Sequence, residues 1–152
     1  MDDVWKEILV GLEKQQTLYF PYEDYDIVGD TGAISRILQS HGRVHISAED
    51  IAHTLSRKTV NYVSVGSACG KDGLVTAFRD AVNKLPVALD AVSKLLLYGW
   101  IAVDFDCQET DWADLSNYVD EVFPALEVCW GWACDEALDH GQVKMVLVAA
   151  GN

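Results

Sequence analysis

Three glycines near the middle of the chain have a spacing that could serve phosphate binding. Gly66, Gly70 and Gly73 lie between an apolar, strand-like stretch and a segment with helical periodicity. Glycine at such a junction lets backbone N–H groups converge on an anion at a helix N-terminus. The phosphate loop GxxxxGK[ST] has four residues between its glycines, whereas three separate Gly66 from Gly70, and Asp72 stands where a magnesium-binding hydroxyl is needed. We therefore predict that Gly66, Gly70 and Asp72 form a structural turn.

His45, Ser47 and Asp50 form a second group with possible chemistry, because these residue types act as acid, nucleophile and base in enzymes. On an extended segment His45 and Ser47 point the same way, but no third group that would orient them is evident. Ser47 also suits a helix N-cap, with Asp50 in place of the usual Glu of a capping box. A small acid–base enzyme that uses these three residues is therefore the alternative to a structural role.

Metal and redox chemistry are not indicated. The acidic residues of segment 104–111 could gather a cation, but their spacing fits no EF-hand loop, and a solvated acidic loop is the simpler interpretation. No two of the four cysteines have the spacing CxxC. The absence of this spacing predicts that the thiols are reduced and mostly buried. We expect surface histidines, no metal and no cofactor.

Composition limits the class of partner. The 152 residues suit a single domain, and 24 acidic against 11 basic residues give a net charge of −13. This charge opposes binding to nucleic acid or to an anionic membrane, so the expected partner is a protein or a small molecule. The N-terminus is acidic and no apolar run reaches the roughly 20 residues of a membrane span, which predicts a cytoplasmic protein.

The periodicity of apolar residues predicts the elements that position these groups. Helices are predicted at residues 2–16, 33–39, 48–56, 73–84 and 110–123, and strands at 17–21, 59–68, 94–104, 126–134 and 142–150. From residue 59 onward the order is β-α-β-α-β-β, which predicts an α/β (α+β) two-layer sandwich: a mixed sheet with helices on one face. The turn-rich link between the last two strands favours a hairpin. Within the single domain 1–152, we expect an N-terminal helix-strand-helix extension, 1–42, and a main unit, 43–152.

Tryptophans indicate a candidate interface. Strand alternation places Trp130 and Trp132 on one face of the sheet, with Cys129, Gly131 and Ala133 on the other. If Trp100 shares the face of Trp130 and Trp132, the sheet has an aromatic side opposite its helices. Such a patch is either covered by the N-terminal helix or serves as an interface.

Several motifs together resemble the C-terminal domain of the FtsZ/tubulin-like cell-division proteins. In that family a strand leads into a turn of the form GxAxGxD or GxAxGxN, then an alanine-rich helix and a proline. Gly66, Ala68, Gly70, Asp72 and Pro86 match this pattern. GQVKMVLVAAG resembles the last strand, GAISRILQSHGRVHISAEDIAHTL resembles the end of the central helix with its following loop, and GLEKQQTLYFPYEDY resembles the segment before that helix. The resemblance implies an FtsZ/tubulin C-terminal-domain-like fold, with the glycine turn remote from nucleotide.

The chain departs from this family in two ways. It contains no GGGTGTG-type phosphate loop, so the resemblance implies that a GTP site is absent or belongs to another chain. The family loop NxDxxD, which reaches into the next subunit's nucleotide site, aligns with His45, Ser47 and Asp50, and only one carboxylate remains. These positions are degenerate equivalents of the catalytic loop.

We therefore predict a non-enzymatic protein-interaction and assembly domain, a modulator or reduced paralogue of a tubulin-like division polymer. Its partner is expected to be another copy, in a homo-oligomer, or a tubulin-like polymer. Stacking of single-stranded nucleic acid on the aromatic face is a third possibility, which the acidity opposes.

Overall fold

The computed structural model describes residues 20–40 and 46–152, which form one mixed sheet and four helices. The strands are β1 (Ile27–Gly29), β2 (Asn61–Cys69), β3 (Val92–Ala102), β4 (Val128–Asp135) and β5 (Gln142–Gly151). The helices are α1 (Thr31–Gln39), α2 (Ala48–Thr54), α3 (Gly73–Asn83) and α4 (Glu109–Val122), with 3-10 turns at Tyr22–Asp24 and Leu89–Ala91. The predicted α/β class and mixed sheet are confirmed. The predicted helix 2–16 lies outside the described residues, and Phe20 and Pro21, from the predicted strand 17–21, are not in a strand.

Local signals fix the starts of three helices. The Asp30 side chain accepts a hydrogen bond from Gly32 N at the start of α1. The capping box predicted for Ser47 and Asp50 is present at the start of α2, and Gln108 forms a similar box for α4. Each cap satisfies N–H groups that have no partner inside the helix.

The strand order, β1-β2-β5-β3-β4, contradicts the predicted hairpin between the last two strands. β5 lies between β2 and β3 and runs antiparallel to both, while β4 lies at the edge, parallel to β3. β5 is buried on both sides along most of its length, which suits a central strand. β3, α4 and β4 instead form a β-α-β crossover.

Helices cover both faces of the sheet, so the prediction of helices on one face is wrong for the whole described fold. α3 and α4 lie on what we call the first face, as predicted for the β-α-β-α-β-β unit. α1 and α2 cover the second face together with Phe20 and Ile46. The second face carries its own apolar side chains, among them Leu96 and Val148, and these require a cover.

At two glycines the strands lie very close to the residues that cover the sheet. A Cβ on Gly66 would lie 2.2 Å from the Ala77 carbonyl oxygen of α3, so this position brings β2 and α3 into direct backbone contact. A Cβ on Gly131 would lie 2.7 Å from Cγ1 of Ile46, which packs over β4 on the second face. Gly131 lies on the face opposite Trp130 and Trp132, where the alternation along the strand predicted it.

None of the helices among residues 20–40 and 46–152 combines the length and apolar character needed to cross a bilayer.

Candidate functional site

Ser47 and Asp50 are engaged with each other at the start of α2. Ser47 N donates to Oδ2 of Asp50 at 2.9 Å, and the Ser47 hydroxyl donates to the same oxygen at 3.1 Å. In return, Asp50 N donates to Ser47 Oγ at 3.2 Å. His45, the third residue of this predicted group, lies outside the described residues. The two side chains thus form a reciprocal helix cap, an arrangement that uses both the hydroxyl and the carboxylate.

A polar cleft of about 470 Å³ opens beside this cap, between α2 and the starts of β3 and β4. Asp50, His53, Lys94, Glu127 and Cys129 line it. The Lys94 ammonium donates to the His53 carbonyl oxygen at 2.9 Å, which ties β3 to α2. Burial, with the nearby carboxylates of Asp50 and Glu127, raises the pKa of the Cys129 thiol. A thiol held protonated is a poor nucleophile, so the cleft favours polar contacts over cysteine chemistry.

The backbone N–H groups of the glycines in the turn donate hydrogen bonds within the protein. Gly66 lies inside β2 and not in the turn, which corrects the prediction that it forms the turn with Gly70 and Asp72. Gly70 N donates to the Gly141 carbonyl at 3.1 Å, and Gly73 N donates to the Gly70 carbonyl at 3.1 Å. Gly70 and Asp72 have φ values of 83° and 62°, a left-handed conformation that reverses the chain before α3. Because these N–H groups bond to carbonyls of the chain, they do not converge on an anion.

The three candidate interface tryptophans do not share a face. Trp100 is 6% exposed and lies in the second-face core, where its indole N–H donates to Ser40 Oγ at 2.9 Å. Trp130 and Trp132 are half-buried on the first face, and the Trp132 ring lies 5.3 Å from that of Trp112 in α4. The hypothesis that the three tryptophans form one aromatic patch is therefore wrong. β3 and β4 are parallel with Trp100 opposite Ala133, and this register puts Trp100 on the opposite face from Trp132.

The acidic segment 104–111 makes local contacts. The Asp104 carboxylate contacts His140 and accepts from Gly141 N at 2.9 Å, and the bond from Gly141 lowers the pKa of Asp104. Gln108 Nε2 donates to Asp106 at 2.7 Å. Among the described residues, no three histidine, cysteine or acidic side chains are grouped in a way that could hold a metal ion.

The cysteines are only partly as predicted. Cys69 and Cys134 are exposed, while Cys107 and Cys129 are half-buried, so the prediction of mostly buried thiols is wrong for the exposed pair. All four are free thiols in the structure.

Sequence patterns did not reveal a second cleft, of about 440 Å³, against the end of α1. Arg36, Ser40, Trp100, Leu138 and Lys144 contribute to its lining. These residues come from distant parts of the chain, and only the seating of α1 on the second face brings them together.

Searches of family models and of curated proteins find no match to this sequence. Solved structures do show similar folds. An FtsZ variant from M. jannaschii matches with a TM-score of 0.64 and 17% identity over 78% of this chain and 36% of its own. CetZ2 from Haloferax volcanii, described as a GTPγS-bound protofilament, matches with a TM-score of 0.54 and 16% identity over 78% of this chain and 38% of its own. The fold is FtsZ/tubulin-like.

The FtsZ-like fold is partial. CetZ1 from Haloferax volcanii, described as a GDP-bound monomer, matches with a TM-score of 0.54 and 17% identity over 88% of this chain, but over only 44% of its own length. The chain thus spans less than half of each of these three proteins. This is consistent with the C-terminal-like part that the motifs indicate.

Within the FtsZ-like fold, the candidate residues fall into separate places. Ser47 and Asp50 meet at the cap of α2, while Gly70 and Asp72 lie in the turn before α3. Trp130 and Trp132 lie on the edge strand β4. Among the candidate residues within 20–40 and 46–152, the side chains of Ser47 and Asp50 are joined by hydrogen bonds.

Proposed function

We propose that this chain is a non-enzymatic protein-interaction and assembly domain related to the FtsZ C-terminal domain. It acts as a modulator, or a reduced paralogue, of a tubulin-like division polymer in the cytoplasm. Its partner is a second copy or a subunit of such a polymer.

The reciprocal cap between Ser47 and Asp50 carries this proposal. In the family that the sequence resembles, the equivalent loop supplies carboxylates that position water at a neighbouring subunit's nucleotide. Here Ser47 replaces one carboxylate, and its hydroxyl and backbone N–H both donate to the remaining one, Asp50. Asp50 Oδ2 accepts from both the backbone N–H and the hydroxyl of Ser47, which is the geometry of a helix cap. A nucleophile and base at Ser47 and Asp50 would in addition need a group that orients them, and among the described residues no contact of this cap supplies one.

The fold supports an assembly role. The chain matches 36% of the FtsZ variant, and its sequence contains no phosphate loop of the GGGTGTG type. CetZ2 is described as a protofilament, so this fold occurs in a protein that assembles through repeated subunit contacts. A subunit that caps or modulates such a polymer would use contacts of this kind.

Titration with GTP and magnesium tests the non-enzymatic part. We expect no saturable heat in isothermal titration calorimetry and no phosphate release above a buffer blank, because no converging N–H groups are predicted for the triphosphate. Micromolar binding or measurable hydrolysis would contradict the proposal. In a mixture with an intact tubulin-like protein, Ser47→Asp restores a second carboxylate and tests docking: a rise in that protein's turnover would place this loop at its nucleotide.

Sedimentation velocity across a concentration series tests assembly. We expect concentration-dependent association, weakened by Trp130→Ser at the edge strand β4. Val28→Ser is the matched control, because Val28 is 44% exposed on β1, at the other edge of the sheet. A wild-type chain that stays monomeric at high micromolar concentration, or equal effects of the two substitutions, would count against association through β4.

A further inference from the structure

An apolar groove of about 520 Å³ lies on the first face, where α4 ends and β3 begins. We call it the α4 groove. The apolar residues that line it are Leu89, Val92, Val122, Phe123, Pro124 and Leu126. Phe123 and Val92 are 3% and 7% exposed and belong to the first-face core, whereas Leu89 is 38% exposed at the rim. The floor of the groove therefore belongs to the first-face core, and its rim is exposed and apolar.

Both charged residues of the lining, Asp90 and Glu121, are acidic and exposed. Asp120 and Glu127, both exposed and each next to a lining residue in the chain, add to this negative charge. Lys94, in β3, donates to the His53 carbonyl in α2, on the second face. A ligand of the groove would thus meet an apolar surface flanked by acidic side chains.

Charge decides between the possible occupants. At this acidic groove a second copy of the chain, with its net charge of −13, would bring like charge, so association between copies is assigned to β4 and not to the groove. The chain's own residues 1–19 contain four acidic and two basic residues, so they are also of the wrong sign. Complementary charge across an interface favours encounter and suppresses like-charged partners.

We propose that the α4 groove binds a basic peptide segment of another protein. One large apolar side chain of the segment enters the groove over Phe123, and flanking lysine or arginine side chains pair with Asp90 and Glu121. This surface is separate from β4 and from the cap of α2, so the inference goes beyond the proposed assembly function and does not depend on it.

Fluorescence anisotropy with short labelled peptides and the full chain tests the inference. The probe is the peptide KKFLKK with blocked ends, and its two controls are EEFLEE, with the charge reversed, and KKSGKK, without the apolar pair. We expect saturable binding of KKFLKK that weakens with added salt, no detectable binding of EEFLEE, and binding of KKSGKK weaker by about tenfold, because the apolar contact and the charge both contribute.

Paired charge reversals locate the site. Asp90→Lys with Glu121→Lys should weaken KKFLKK binding by about tenfold at low salt, since two attractive contacts become repulsive. Asp24→Lys with Asp26→Lys is the matched control, because it makes the same charge change at exposed positions next to β1, at the far edge of the sheet.

Three results would overturn the inference: absence of saturable KKFLKK binding, equal binding of KKFLKK and KKSGKK, or equal weakening by the two charge reversals. Circular dichroism of each variant checks that it is folded. If a reversed variant fails to fold, hydrogen exchange of the wild-type chain decides, because bound peptide should protect amides of residues 88–92 and 120–126. Sedimentation without peptide separates this outcome from a failure of the assembly proposal.

Discussion

Gly66 offers a sharp test of how the first face is assembled. An added Cβ would lie 2.2 Å from the Ala77 carbonyl oxygen, 2.4 Å from Ala81 N and 3.0 Å from Ala81 Cα. These are backbone atoms of α3, which cannot rotate away as a flexible side chain can. Gly66→Ala should therefore force α3 away from β2 and open the packing between them.

The expected cost follows from the nature of the obstacle. Overpacking typically lowers the free energy of unfolding by about 1–3 kcal/mol. Because the atoms in the way at Gly66 belong to helix backbone, we expect Gly66→Ala to lower it by about 3 kcal/mol, the upper end of this range. For a chain of this size, that lowers the melting temperature by roughly 6–12 °C. Gly70→Ala is the matched control, because Gly70 has φ of 83° and no other atoms within 4 Å of the added Cβ. It should cost only the left-handed backbone penalty, about 1 kcal/mol.

Urea unfolding followed by far-UV circular dichroism measures both variants. The midpoint should fall for Gly66→Ala by about three times as much as for Gly70→Ala, given the costs above, with unchanged denaturant slopes. If Gly66→Ala were no more destabilising than Gly70→Ala, then α3 would not be seated on β2 through this glycine, and the packing argument would be refuted.

Two further predictions concern titrating groups. The Lys84 ammonium and the Ser67 N–H hold the pKa of Asp80 below its ordinary value of 3.8, so its stabilising effect is present above that value and is lost as pH falls through the lowered pKa. Asp80→Asn should therefore lower stability at neutral pH by less than about 1 kcal/mol, and a urea series should show the difference vanish in strong acid. Second, Ellman's reagent at pH 8 should modify two thiols of the folded chain quickly and two slowly. Cys69 and Cys134 are exposed, whereas burial raises the pKa of the other two.

The sequence by itself determined a helix cap and the bounds of two helices, although it did not indicate β1. Ser47 and Asp50 lie three residues apart, so their capping box depends on neighbours in the chain. The apolar positions of α3 and α4 recur at helical spacing, and both helices begin and end within one residue of the prediction. The motifs around Gly66 and in β5 also indicated the FtsZ/tubulin-like fold. These features need no knowledge of distant partners, which explains why sequence patterns could reveal them.

Tertiary structure decided the strand order and the assignment of faces. Alternation along β3 and β4 separates odd from even positions in each strand, but only the register between them shows that Trp100 and Trp132 lie on opposite faces. The hairpin prediction for β4 and β5 failed for the same reason, because the apolar β5 gains more burial between β2 and β3 than beside its neighbour in the chain. Burial is a property of the whole assembled sheet. No local pattern specifies which strand will occupy its centre.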